Sequence, residues 1–341
     1  MAARAAVLTG LGGYLPPRTV TNDELPRQLD TSDEWIRRRT GIRQRHWAGP
    51  GVSTGDLAVE AGHRALRSAA LGTGDTVGMV IVATTTPDHP CPATAPDVAA
   101  RLGLGQAAAF DLAAGCSGFV YALATAAAAL TAGHAEHALV IGAETFSTVL
   151  DPADRTTAVI FGDGAGAVVL RAGTRDEPGA VLAVDLGADG TGKDFASIPG
   201  GGARERSLRP EPNPDDRYLR MRGKEIFTHA VHRMEHSSAA ALATVGWHVD
   251  EVDHLVGHQA NLRILHALAR QLGMDRQRVV SHIQQAGNTS AASIPLALAD
   301  AAARHRFQAH DRLLLTAFGA GLTWGSAALT WPAPTPGRAH P

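Results

Sequence analysis

Short apolar runs alternate along the chain with longer stretches in which apolar residues recur every three or four positions. Six runs read as buried strands, at 77–83, 107–112, 138–142, 167–170, 254–256 and 313–317. The helical rhythm runs over 55–70, 116–132, 223–245, 261–272 and 291–304. Strand and helix alternate, which predicts α/β layers around a largely parallel, covered sheet.

Two segments resemble one another. Phe161-Gly-Asp-Gly-Ala-Gly-Ala-Val-Val-Leu170 and Phe318-Gly-Ala-Gly-Leu-Thr-Trp-Gly-Ser-Ala-Ala-Leu329 are both glycine turns that enter a small-residue strand. They lie about half the chain apart, as two similar α/β halves require. At 341 residues the chain is too long for one small core. We therefore expect an N-terminal half over 1–172, a C-terminal half over 173–332 and a frayed Pro-rich tail over 333–341. The stretch 191–217, rich in Gly, Pro and charge, is expected to be a long irregular excursion at the hand-over between halves, of a length typical of functional covers.

Composition narrows the function classes. A net charge of −2 gives no reason to expect a nucleic-acid or anionic-membrane partner. Two cysteines are too few for a secreted disulfide framework, so a reducing cytoplasm is expected. The amino terminus has no apolar stretch of signal-peptide length, and no run is read as long and apolar enough for a membrane span. No metal-ligand spacing is apparent.

Three positions carry candidate chemistry. Cys116 follows an apolar strand and a small-residue turn, at the start of a helical pattern. The unpaired amides and positive dipole end there favour a thiolate. His258, in Leu255-Val-Gly-His-Gln-Ala-Asn261, and Asn288, in Gly287-Asn-Thr-Ser-Ala-Ala-Ser293, also lie at strand-to-helix junctions. Singly, each has a plain structural reading: an inert buried thiol, a satisfied histidine, an N-cap asparagine. Together they would converge on one edge of layered sheets, where α/β proteins bind ligands. A Cys-His-Asn set serves papain-like proteases, in which Asn orients His. It also serves condensing enzymes, in which His and Asn both donate to a thioester oxygen.

From about residue 5 to 330 the sequence resembles the ketoacyl-ACP synthase III family. The resemblance rests on Gly12-Gly-Tyr-Leu-Pro16, Thr31-Ser-Asp-Glu-Trp-Ile36, Arg39-Thr-Gly-Ile-Arg43, Asp111-Leu-Ala-Ala-Gly-Cys-Ser-Gly-Phe119, the two glycine-turn segments above, His258-Gln-Ala-Asn-Leu-Arg263 and the Gly287–Ser293 segment. It implies a thiolase-like five-layered fold built from two similar βαβαβαββ halves, a homodimer, and no metal or redox cofactor. By this resemblance Cys116 takes an acyl group from an acyl-CoA. The amides of Cys116 and Ala320 form the oxyanion hole, and His258 and Asn288 stabilise the enolate formed when malonyl-ACP loses CO₂. Trp35 and Arg155 would sandwich the adenine of CoA, Arg39 and Asn261 would line its channel, and Arg263 would join Arg217, Arg220, Arg222 and Lys224 in attracting an acidic acyl carrier protein.

The sequence departs from the family at two points. Gly257 stands where Pro usually precedes the histidine. Cys91 stands at a bulkier acyl-pocket gate residue of the dimer interface, which implies a roomier pocket. The competing function is a priming or acyl-transfer relative in a natural-product pathway. Retention of Asn288 favours condensation, since several such relatives replace it. A thiolase would need a second catalytic cysteine, for which Cys91 has the wrong context. A chain-length factor would lack Cys116.

Overall fold

The computed structural model describes residues 3–25, 29–208, 211 and 213–332, so the expected tail at 333–341 lies outside the described residues. The chain opens on strand β1 (Arg4–Tyr14). Helices α1 (Asp33–Thr40) and α2 (Thr54–Ala69) follow, then β2 (Val77–Ala83), α3 (Thr94–Arg101), β3 (Ala108–Leu112), α4 (Gly118–Ala132), β4 (His137–Glu144) and β5 (Gly164–Thr174). Local chemistry sets the ends of α2. Ser53 and Asp56 form a reciprocal capping box at its start, and the left-handed Ala70 ends it.

The first sheet has the order β1-β5-β4-β2-β3. β4 pairs with β2, and β2 with β3, in parallel, whereas β5 runs antiparallel to both of its neighbours. The second half repeats this plan with β6 (Val181–Ala188), α5 (Gly223–Val245), β7 (His254–Gly257), α6 (Leu262–Leu272), α7 (Ser293–Ala303), β8 (Arg312–Gly319) and β9 (Thr323–Thr330). Its sheet order is β7-β8-β9-β6, with β9 antiparallel to both neighbours. A single parallel bridge, Leu255 to Val279, occupies the outer edge where the first half has β3. β5 and β9, the strands entered from the two similar glycine turns, are thus equivalent. Each half is βαβαβαββ, with the third strand of the second half reduced to that bridge.

Two expectations change here. The sheets are mixed rather than largely parallel, because the last strand of each half returns antiparallel to the one before it without a crossover α-helix, through residues 320–322 in the second half and through the longer stretch 145–163 in the first. The hand-over between halves falls in the turn after β5, which runs to Thr174, and before β6. The 191–217 excursion instead interrupts the second half between β6 and α5.

Side-chain alternation builds five layers. Ile81 and Val140 face the middle layer, while Val80, Val82, Leu139 and Ile141 face α2 and α3 on the outside. In the middle, α4 and α7 lie between the sheets, with Phe119, Leu123, Leu130, Ile294 and Leu298 buried among strands of both halves. α5 and α6 close the far side through Met234, Leu242, Leu265 and Leu268. The stretch Gly115–Ala132 is long and apolar enough to cross a membrane, contrary to the reading of the sequence. Alanines supply much of that hydropathy. The helix they form is held between the sheets through Phe119, Val120, Leu123, Ala126 and Leu130.

Candidate active site

Beyond β3 the chain makes one tight 3-10 turn, Gly115–Ser117, before α4 begins at Gly118, so Cys116 sits in that turn just ahead of the α-helix. Gly115 has φ +53°, a left-handed conformation that suits glycine. The turn after β8 presses against it. A Cβ on Gly319 would lie 2.6 Å from the Cys116 nitrogen, and one on Gly115 would lie 3.0 Å from the Ala320 nitrogen. The amides of Cys116 and Ala320 therefore belong to two loops in contact. Thr323 clamps them, its hydroxyl donating to the Ala114 carbonyl at 2.8 Å.

His258 follows β7, and its backbone N–H donates to the Thr316 carbonyl of β8 at 2.8 Å. Its Nδ1 lies 2.7 Å from Ser293 Oγ. That same oxygen accepts the Gln259 amide at 3.3 Å, so the serine hydroxyl can direct its own proton to Nδ1. This arrangement puts the imidazole proton on Nε2. Asn288 is fixed with similar economy. Its Oδ1 accepts the Ser290 amide at 2.9 Å, which commits the carbonyl end and leaves the NH₂ as donor. The backbone of Asn288 is held to Phe161 by a parallel bridge.

Cys116, His258, Asn288 and Ala320 line one cavity of ≈ 910 Å³. Its apolar walls include Phe161, Leu219, Ile226, Phe227, Ile264 and Phe318. Ser197, Ile198, Gly200 to Gly202 and Arg217 of the irregular excursion close one side. A two-stranded ribbon, Ala196–Ser197 against Arg220–Met221, anchors that excursion. The thiol, imidazole and amide converge as the sequence predicts, from three junctions and both halves of the chain.

Electrostatics correct one expectation. Burial pushes the Cys116 thiol up to about 12; a hydrogen bond with Ser290 opposes the shift, and the charge of Glu144 adds to it. The resting nucleophile is a neutral thiol, because desolvation outweighs the turn's amides. Burial pulls His258 down to about 3, so its imidazole is neutral at any ordinary pH. A base whose pKa is depressed to this extent gains no proton on mild acidification. Malonyl decarboxylation by the acylated enzyme should then show no inflection from His258 between about pH 5 and 8, measured as CO₂ release. A loss of rate on titration of an imidazole near its unperturbed pKa of about 6.5 would contradict this placement.

The remaining predicted residues fall in two places. The guanidinium of Arg39 stands 4.5 Å from the Trp35 ring and that of Arg155 5.7 Å, with Arg155 also paired to Asp30 at 3.2 Å. Asn261 links this group to the cavity, since it lines the cavity while its Nδ2 donates to the Arg39 carbonyl at 3.0 Å. Its Oδ1 caps α6 through the Arg263 amide, and the Arg263 guanidinium lies over Phe227. Cys91 is exposed and does not line the cavity of its own chain, although Pro87, Asp88 and Pro90 beside it do. A metal-ligand spacing that the sequence reading missed lies on α5. His232, Glu235 and His236 hold donor atoms within 4.8 Å of one another, and none of them lines the cavity. The sequence reading assigned no role to Glu144 or to the serines 290 and 293. An acidic residue closing an otherwise wholly buried strand was the available signal for Glu144.

Two layered halves that bring a thiol, a neutral imidazole and a carboxamide to one apolar cavity define a thiolase-like acyl-transferring enzyme. Comparison with known proteins agrees. The family described as 3-oxoacyl-[acyl-carrier-protein (ACP)] synthase III matches residues 110–190, and its C-terminal counterpart matches residues 242–331. The chain is 63% identical to β-ketoacyl-[acyl-carrier-protein] synthase III 5 of Streptomyces coelicolor, over 96% of this chain and 98% of that one. The structure of 3-oxoacyl-(acyl carrier protein) synthase III from Pseudomonas aeruginosa superposes with a TM-score of 0.90 at 52% identity, covering 97% of this chain and 100% of that one. The priming β-ketosynthase of a polyketide biosynthetic pathway superposes with a TM-score of 0.89 at 35% identity, covering 98% of each chain. The chain belongs to the 3-oxoacyl-ACP synthase III family.

Proposed function

We propose that the protein condenses a CoA-linked acyl starter with malonyl-ACP, releasing CO₂ and giving a 3-oxoacyl-ACP that begins a fatty-acid or related polyketide chain. The observation that carries this reading is the meeting of Cys116, His258 and Asn288 in one cavity. Cys116 attacks the thioester and holds the acyl group, while the amides of Cys116 and Ala320 take the developing oxyanion. The malonyl thioester carbonyl then accepts from His258 Nε2 and the Asn288 NH₂. Loss of CO₂ places negative charge on that oxygen, and the resulting carbanion attacks the acyl-cysteine. Neutral donors suit this step, because they stabilise the enolate without supplying a proton that would quench the carbanion. The scheme uses no metal or redox cofactor.

The 1–172 half would supply the nucleophile and the 173–332 half the two donors. Trp35, Arg39, Arg155 and Asn261 would receive the nucleotide and pantetheine of CoA, a purine stacking against Trp35 beneath a guanidinium. Arg217, Arg220, Arg222, Lys224 and Arg263 would steer the acidic carrier protein. The protein would work in the cytoplasm as a homodimer. Cys91, exposed in one chain, would reach the acyl pocket of its partner as a small gate residue. The likeness to a priming β-ketosynthase supports a second setting, in which the enzyme primes a natural-product pathway or passes its acyl group to another acceptor.

Incubation with acetyl-, isobutyryl- and hexanoyl-CoA tests the reading. Each competent starter should add its acyl mass to Cys116, and malonyl-ACP should then discharge it as 3-oxoacyl-ACP. The branched and longer starters should be accepted. A strict acetyl preference would remove the small-gate argument, and absence of any acyl adduct would remove the covalent mechanism.

A further inference from the structure

Glu144 is a buried ionisable group for which the condensation scheme has no use. It closes β4 and is wholly enclosed. Its carboxylate oxygens accept from Thr86 Oγ1 at 2.8 Å, Ser290 Oγ at 2.9 Å, the Thr85 amide at 3.1 Å and Thr84 Oγ1 at 3.3 Å. These neighbours are neutral donors, and the titratable group facing it is Cys116, whose thiol is raised by the Glu144 charge. Burial lifts Glu144 itself to about 7, so that its two protonation states are close in energy near neutrality.

Ser290 stands between the two groups. Its hydroxyl donates to Glu144, it favours the Cys116 thiolate against the effect of burial, and the Gly115–Ser117 turn that carries the thiol packs against the Ser290–Ala292 turn. Its backbone has φ +47°, an uncommon conformation for serine, and the Asn288 carboxamide fixes it there by accepting the Ser290 amide. The same asparagine that offers its NH₂ to the cavity therefore also places this hydroxyl. A thiol, a hydroxyl and a carboxylate stand in series.

We propose that Ser290 and Glu144 form a proton relay for Cys116, storing the thiol proton while the cysteine is acylated and returning it when condensation frees the sulfur. This rests on the acyl-cysteine reading above. In acylation the S–H proton passes to Ser290 Oγ as the serine's own proton passes to Glu144. The sulfur electron pair forms the new S–C bond, the bond from the acyl carbon to the CoA sulfur breaks, and the CoA thiolate leaves with its electron pair to take a proton from water. In condensation the carbanion carbon bonds to the acyl carbon, and the C–S bond to Cys116 breaks toward sulfur. Glu144 then returns its proton through Ser290. One solvent proton is consumed per cycle, and it ends on CoA. Ser290 is the direct proton carrier between the sulfur and the carboxylate, whereas Glu144 acts through it as a positioning and storage group.

The test measures the rate of Cys116 acylation by acetyl-CoA against pH, by quenched mass spectrometry, beside malonyl decarboxylation in the same preparations. Wild-type acylation should rise through an ionisation near neutrality. Glu144→Gln and Ser290→Ala should lose that inflection and slow acylation about a hundredfold, well beyond any change in decarboxylation. Glu144→Asp, which keeps a proton-accepting carboxylate, should recover the inflection; a purely structural Glu144 would not separate Asp from Gln in this way. Wild-type rate and pH profile in Glu144→Gln would overturn the relay. If that variant does not fold, an unchanged profile in Ser290→Ala would overturn it. Failure of the wild-type enzyme to acylate at all would instead remove the acyl-cysteine reading on which the relay stands.

Discussion

His258→Ala and Asn288→Ala should each give an enzyme that takes an acyl group onto Cys116 and then stalls. The acceptor atom of each side chain is already engaged, Nδ1 of His258 by Ser293 and the Asn288 carbonyl by the Ser290 amide. What each has left to offer is a donor directed to the cavity they share with Cys116. Removing one donor to a developing oxyanion costs about 10²–10³ in rate, and malonyl decarboxylation should fall by that factor. The mass of acylated Cys116 should persist after malonyl-ACP is added. Asn288→Ala should acylate more slowly than His258→Ala, because its carboxamide also fixes Ser290; failure of a folded His258→Ala to acylate would make the division of labour between thiol and donors wrong. The double variant should cost less than the product of the two single losses, since both donors serve one oxygen.

Gly319→Ala should be nearly as damaging, for a different reason. Gly319 ends β8, and an added Cβ would meet the Cys116 nitrogen at 2.6 Å and the Ser117 nitrogen at 2.9 Å. Those atoms are backbone and cannot swing aside, so one of the two loops must move. A displacement of about 1 Å at a reacting group can cost about 10²-fold. We therefore expect acylation to slow about a hundredfold, with a stability loss of about 1–3 kcal/mol from overpacking. Acylation kinetics together with Tm would measure both. Gly190→Ala is the control, because a Cβ there meets nothing within 4 Å. Equal rates in the two variants would show that the contact between the turns does not shape the oxyanion site.

Much of the architecture was legible in the sequence, for identifiable reasons. β2 reads directly, since a run of β-branched residues buried on both faces leaves little else to be. β1 does not, although it is among the longest strands. Its Gly10 and Gly12 look like turn residues, yet they lie in the strand because the backbone of α2 runs against it. A Cβ at either position would stand 2.4 Å from the Ala65 or Ala61 carbonyl oxygen. β6 is equally quiet, being partly open to solvent along its second half. At the site, thiol, imidazole and amide could be nominated because each residue type carries its own chemistry. Glu144, Ser290 and Ser293 could not, since their roles depend on neighbours 146 and 35 positions away in sequence. The protonation state of Cys116 was misjudged for a related reason: local sequence displays the turn that favours an anion, but not the depth at which it is buried.

The described residues of the excursion between β6 and α5 wall the acyl cavity yet contribute no strand to either main sheet. Exchanging such a segment need not disturb the folding of the layered frame. Preference for short, branched or long starters can thus diverge between duplicated copies of one ancestor through an appendage, while bond-forming machinery under far stricter geometric demands is inherited intact.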